Sequence, residues 1–205
     1  MEDERLTIFD ETRNPIGIAT RGEIHSLGYW HETFHCWFIH NENSIDYIYL
    51  QLRSPLKKDY PNLYDITVAG HLLASETVQD GIREIKEEVG VDLSFEELIP
   101  LGIIEYCAEK EAFIDKELAH TFLYKSERSL DDFILQEDEV AGMVKVEFAQ
   151  FAELWNGERD TIKVTGFEMK DGSKSFFERE VGQDQFVPHQ IPFYKSVING
   201  IKENI

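Results

Sequence analysis

Three glutamates, Glu84, Glu87 and Glu88, are spaced three and four apart in the run Arg83-Glu84-Ile85-Lys86-Glu87-Glu88-Val89-Gly90. At about 100° per residue an α-helix puts them on one face. Val78, Ile82, Ile85 and Val89 gather on the roughly opposite side, so the helix carries an apolar stripe for a core and a stripe of carboxylates. Three ionised carboxylates held this close repel one another and drive their pKa values up unless a cation sits among them. A hard divalent ion meets that need, because Mg²⁺ takes oxygen ligands and keeps waters that a phosphate can displace. An acidic triplet alone is an ordinary solvated face, so its surroundings decide.

Those surroundings are specific. Gly70 allows a backbone to approach closely, Glu76 lies where it can pair with Arg83, Thr77 with Asp80 reads as a helix start, and Gly90 as its C-terminal stop. Gly70, Glu76, Arg83-Glu84, Glu87-Glu88 and Gly90, with Ile85 and Val91 in register, resemble the signature box of the Nudix hydrolases. The resemblance implies an α+β chain folded as a Nudix-type α/β/α sandwich with a mixed sheet. It also implies Mg²⁺ or Mn²⁺ held by Glu84, Glu87, Glu88 and the Gly70 carbonyl, and hydrolysis of a diphosphate linkage in a nucleoside-diphosphate-like substrate. Two departures stand out: the six residues between Glu76 and Arg83 are one fewer than the family's usual spacing, and Ser75 replaces a glycine before the loop glutamate.

A second constellation surrounds the box. His25, His31, His35 and His40 crowd one region, and His71 follows Gly70 directly. Asp115 and Glu117, two apart, project to one face of a strand. Together they offer a nitrogen-and-oxygen set suited to Mn²⁺, Zn²⁺ or Mg²⁺. With Arg53, Lys57, Lys58 and Pro61 added, the pattern is similar to the isopentenyl-diphosphate isomerase branch of the Nudix superfamily. That branch implies a metal site at His25, His31, His71, Asp115 and Glu117, and diphosphate contacts from Arg53 and Lys57. The branch's proton-transferring cysteine falls where this chain has Ala69, and alanine carries no proton. Loss of that group beside an intact box points to hydrolysis on an isomerase-like scaffold.

The expected catalytic residues are therefore Glu87, Glu88 and Glu117, with Glu117 as first choice of general base and Glu137, Asp138 and Glu139 in reserve. Two other readings remain at this stage. One is an isomerase using Cys107 or Tyr64 as proton donor, and the other is a non-catalytic metabolite-binding module.

Composition narrows the partners. The chain has 205 residues, 42% of them hydrophobic and 14 of them Phe, enough for a sizeable core. A formal charge of −20 argues against nucleic acid and anionic membrane as partners, leaving a small phosphorylated metabolite. A homodimer is compatible with the sequence. Cys36 and Cys107 lie in strand-like runs and read as small core hydrophobes. Few cysteines, no leader-like start and no apolar run of membrane length give a cytoplasmic expectation.

Strand-like runs span residues 6–9, 16–19, 34–39, 47–52, 101–107, 118–124 and 140–148. Thr20 and Glu23 form a capping-box pattern for a short helix, and residues 148–155 read as another helix. Residues 1–157 make the expected Nudix domain, including an N-terminal hairpin. Residues 158–205 make a C-terminal extension packed on it, with a hairpin turn at Asp171-Gly172 and a closing helix over 194–202.

Overall fold

The computed structural model describes residues 3–110 and 113–205. Arg5–Phe9 (β1) and Pro15–Thr20 (β2) pair as an antiparallel hairpin. Arg21–Leu27 (α1) follows with the expected capping box: the Thr20 hydroxyl accepts from the Glu23 N–H at 3.3 Å, and the Glu23 carboxylate accepts from the Thr20 N–H at 2.9 Å. Trp30–Glu42 (β3) and Ile45–Arg53 (β4) extend beyond their apolar runs. They turn on Asn43 and Ser44 alone, both at positive φ (54° and 64°), a tight two-residue hairpin.

Two short strands were not legible in the sequence, Tyr64–Asp65 (β5) and Val68–His71 (β6), being too short to display a period. The box helix also begins later than expected. Thr77 donates its N–H and hydroxyl to the Asp80 carboxylate at 2.8 and 2.7 Å, a 3-10 turn spans Asp80–Ile82, and the α-helix (α2) is Arg83–Val89, closed by left-handed Gly90. A 3-10 turn rises about 2.0 Å per residue against about 1.5 Å for an α-helix.

Ile99–Lys110 (β7) and Phe113–Lys125 (β8) form a long antiparallel pair, followed by Val140–Glu147 (β9) and Phe148–Asn156 (α3). Thr161–Lys170 (β10) and Ser173–Gly182 (β11) are the expected second hairpin, turning at Asp171-Gly172. Ile191–Lys202 (α4) closes the chain, entered three residues earlier than expected through Pro192 in its first turn.

The mixed sheet runs β11-β10-β9-β4-β3-β1-β2, with β5 on β4, β6 on β3, and β7 reached through β8. Strand β3 organises it. It pairs antiparallel with β1, β4 and β6 at successive stretches of its length and parallel with β8 over Trp30–Ile39. Period-two alternation along β3 then divides two cores. Phe34, Cys36 and Phe38 face Ile85 and Val89 of α2. Trp37 and Ile39 face Phe151 of α3 and Phe193, Tyr194, Val197, Ile198 and Ile201 of α4. The α4 set recurs at helical spacing, so one apolar stripe seats the helix, and Trp155 stacks on Tyr194 at 3.5 Å. Burying each such aromatic is worth about 1.5–3 kcal/mol. Cys36 is buried as expected, but Cys107 is only half-buried and is not part of either core; both are free thiols. No helix among the described residues is long and apolar enough to cross a membrane.

Candidate functional site

Where β3, β5, β6 and β8 meet α1 and α2, a cavity of about 650 Å³ opens, lined by the box glutamates, by His25, His35, His71 and His189, and by several cations. Strand β6 divides its chemistry. Val68 and Gly70 lie opposite Cys36 and Phe34 on the α2 face, and His71 lies opposite Thr33 on the α4 face.

On the α2 face, Gly70 is required by space: a Cβ there would come within 2.2 Å of the Glu84 carboxylate. Glu88 is buried and accepts from the Ala69 N–H at 3.2 Å and the Gln51 amide at 3.3 Å. Burial, opposed by Arg83 and reinforced by Glu87, raises the Glu84 carboxyl to about 7. Burial and the neighbouring Glu84 raise Glu88 to about 8. Glu87 is about half exposed and reaches Arg83 at 3.1 Å. Two buried carboxylates forced toward the neutral form, beside a backbone brought close by glycine, suit a hard divalent cation, whose charge reverses that pressure.

Arg83 ties this arrangement to the loop. It grips Glu76 with Nε at 2.5 Å and Nη2 at 3.0 Å, Glu84 with Nη1 at 2.6 Å, and the His71 carbonyl with Nη2 at 3.3 Å. Glu76 in turn accepts from the Leu73 N–H at 2.8 Å. The expected brace from loop to helix is present despite the shortened spacing.

On the other face, His25 from α1, His31 from β3 and His71 from β6 bring ring nitrogens within 4.8 Å of one another. His31 is likewise grouped with carboxylate oxygens of Asp115 and Glu117. His31 Nδ1 lies 3.2 Å from the Tyr29 carbonyl and must donate to it, which leaves the Nε2 lone pair facing Asp115 Oδ1 at 3.6 Å. His25 Nε2 faces the same oxygen at 3.5 Å. These nitrogens, His71 Nε2 and Asp115 Oδ1 are buried and have no hydrogen-bond partner among the described residues. Burial pushes the imidazoles of His31 and His71 down, toward the neutral ligand form. Buried imidazole nitrogens and a carboxylate oxygen turned on one another without hydrogen bonds fit a metal ion, and a backbone carbonyl orienting a ligand histidine, as at His31, is a usual support.

Glu117 is bound differently. Its Oε2 accepts from His35 at 3.1 Å and from the Thr33 hydroxyl at 3.1 Å. Burial would raise this carboxyl, but the His35 hydrogen bond and charge outweigh it and hold the group well below the usual carboxylate range.

The cations differ in how far they are committed. Arg53 donates to Asp65 at 2.8 Å and to the carbonyls of Asp59 and Tyr60, contacts that use three of its five N–H groups. Lys57 is paired with Glu139. Arg21, which sequence reading passed over, makes a long 3.7 Å contact with Asp59, and among the described residues its buried Nε has no hydrogen-bond partner. Its signal was there: it precedes His25 by one helical turn, hence on the same face. His35, one of the clustered histidines, lines the cavity as well, and Asp65 and His189 line it unannounced, whereas Glu137, Asp138, Cys107 and Tyr64 do not line it.

Comparison with known proteins agrees with this geometry. The NUDIX domain profile matches residues 29–165. An uncharacterised Nudix hydrolase of Clostridium acetobutylicum is 38% identical over 205 residues, the full length of both chains. An isopentenyl-diphosphate Delta-isomerase of Photorhabdus laumondii is 26% identical over 79% of this chain and 88% of its own length. Among solved structures, a Deinococcus radiodurans protein superposes with a TM-score of 0.56 at 19% identity, covering 75% of this chain and 90% of its own.

Proposed function

Because this chain belongs to the Nudix family and is a Nudix hydrolase, we propose that it cleaves a diphosphate linkage in a nucleoside-diphosphate-like metabolite, using Mg²⁺ or Mn²⁺ held by Glu84, Glu87, Glu88 and the Gly70 carbonyl. The observation that carries this reading is the geometry at Gly70, where a Cβ would stand within 2.2 Å of the mostly buried Glu84 carboxylate, beside buried Glu88, which accepts from the Ala69 N–H. When bound, the divalent ions offset charge developing on the phosphate oxygens and lower the pKa of an attacking water.

The chain's own residues do the rest. Arg83 fixes the glutamates and the loop rather than the substrate, because its donors are spent on Glu76, Glu84, Glu87 and the His71 carbonyl. Arg21, through its unpartnered Nε, and Arg53, through its two unused N–H groups, meet the diphosphate. Lys57 and Glu139 form a charge pair at the rim that a phosphate can enter. His25, His31 and His71, with Asp115 and Glu117, hold a second metal, which their nitrogen content makes a transition metal such as Mn²⁺ or Zn²⁺. Glu117, kept ionised by His35 and Thr33, suits that cage better than it suits taking a proton from water.

Isomerase chemistry is the second reading, favoured by the histidine cage and by the isomerases among the relatives. Ala69 opposes it, and neither Cys107 nor Tyr64 lines the cavity to replace the missing donor. The test is a substrate panel under Mg²⁺ and Mn²⁺: nucleotide sugars, dinucleotides, nucleoside di- and triphosphates, and isopentenyl diphosphate, with products identified by mass. Phosphomonoester products from a nucleoside diphosphate derivative support the reading. Dimethylallyl diphosphate formation with no hydrolysis of any member overturns it.

A further inference from the structure

The strap between β11 and α4 enters the cavity from outside the segment that matches the family profile, which ends at residue 165. It is fastened on both sides. Val187 donates its N–H to the Tyr64 carbonyl of β5 at 2.9 Å, the Tyr194 hydroxyl donates back to the Val187 carbonyl at 2.7 Å, and the Gln190 amide donates to the Cys107 carbonyl of β7 at 2.9 Å. Between these ties His189 lies buried, its ring stacked on Phe193 at 4.5 Å and met edge-on by Tyr106 at 4.6 Å.

Among the described residues that ring has one polar engagement: Nε2 lies 3.2 Å from Asp65 Oδ1 and, facing a carboxylate, donates to it. Asp65 also accepts from the Ile66 N–H on Oδ1 and from Arg53 Nη1 at 2.8 Å on Oδ2. A buried carboxylate held by donors on both oxygens cannot rotate without losing one. We propose that His189, delivered by the C-terminal strap, positions the Arg53 guanidinium for the substrate diphosphate by way of Asp65. His189 is thus a positioning residue supplied by the extension. The inference rests on the reading above that Arg53 contacts the diphosphate.

The test uses imidodiphosphate, a diphosphate that cannot be hydrolysed at its bridge, titrated calorimetrically into the full chain with Mg²⁺ present. His189→Phe keeps the ring between Phe193 and Tyr106 but removes the donor, and is expected to weaken binding about tenfold, the worth of one hydrogen bond to a charged group. His189→Gln restores a donor at the Nε2 position and should recover most of that loss, which a purely structural ring would not allow. Arg53→Ala should weaken binding at least as much, and the double variant no further, because the two residues act in series. Asp65→Asn, expected to mimic His189→Phe, serves if the latter does not fold. Wild-type affinity in His189→Phe while Arg53→Ala is impaired overturns this inference alone. Wild-type affinity in Arg53→Ala overturns both it and the assignment of Arg53 to the diphosphate.

Discussion

Arg83 holds both carboxylate oxygens of Glu76, at 2.5 and 3.0 Å, from seven residues away across the entry to the box helix. The arginine is about a third exposed and the glutamate mostly buried, a two-pronged pair in partial shelter from water. Arg83→Ala should therefore lower stability by about 2 kcal/mol as well as activity. Thermal unfolding of the single and double variants with Glu76→Ala should show coupling of about 1 kcal/mol or more. Independent effects on stability would show that the loop is held by other contacts.

Glu88→Gln is expected to lower kcat by about a hundredfold or more with the fold intact, because charge at the transition state is lost while the amide oxygen can still accept from the Ala69 N–H. Glu87→Gln should lower turnover on the same scale with less effect on stability, its side chain being half exposed. Far-ultraviolet circular dichroism and turnover at saturating Mg²⁺ check both; near-wild-type kcat in either variant would remove that residue from the metal set.

Stability should depend on pH in a direction opposite to that of a salt-bridged carboxylate. Burial raises Glu84 and Glu88 from the ordinary glutamate value of 4.5 to about 7 and about 8 in the folded chain. Between pH 4.5 and 8 the native state thus binds more protons than the unfolded state, so these groups make stability fall as pH rises through that window. Metal-free protein should show the decline in a melting series from pH 5 to 8.5, and Mg²⁺ should recover most of the loss at the alkaline end. A melting temperature that is flat or rising in both conditions, after correction with the Glu84→Gln/Glu88→Gln variant, contradicts this assignment.

Protein purified gently should carry a transition metal at near-stoichiometric level, held by His25, His31, His71, Asp115 and Glu117. His31→Ala and His71→Ala should lose it. Elemental analysis by mass spectrometry decides: trace Mn, Zn and Fe in the wild type even after incubation with the metals, with no change in the variants, would show that the cluster is hydrogen-bonding scaffold. Loading the metal should also raise the melting temperature in proportion to the logarithm of its free concentration.

The box was legible because its chemistry is local. Glu84, Glu87 and Glu88 sit with Ile85 and Val89 within the two turns of α2, and spacing alone places the two sets on opposite faces. The crowding of histidines was visible in the sequence, but which of them join Asp115 and Glu117 was legible only through resemblance, since His31 and Glu117 meet through parallel pairing of β3 with β8 across 86 residues of sequence. Strands β5 and β6 escaped because two and four residues are too few to show alternation. Asp65 and His189 escaped for a different reason: 124 residues separate them, neither lies in a motif, and only the strap's attachment to β5 and β7 makes them neighbours.

The β3–β8 pairing also sets the order of assembly. Strands β3 and β4 can close by a short turn, but the parallel ladder that places His31 beside Glu117 must first close a loop containing the whole box helix. Closure on that scale is slow, and parallel pairing rewards it only after it is complete. Half of the histidine cage therefore stands apart from its carboxylates until late in folding, and a metal that needs both halves meets its site only in the nearly native chain. Bound metal should accordingly leave the refolding rate almost unchanged and slow the unfolding rate, acting as a latch on the finished molecule rather than as a template for making it.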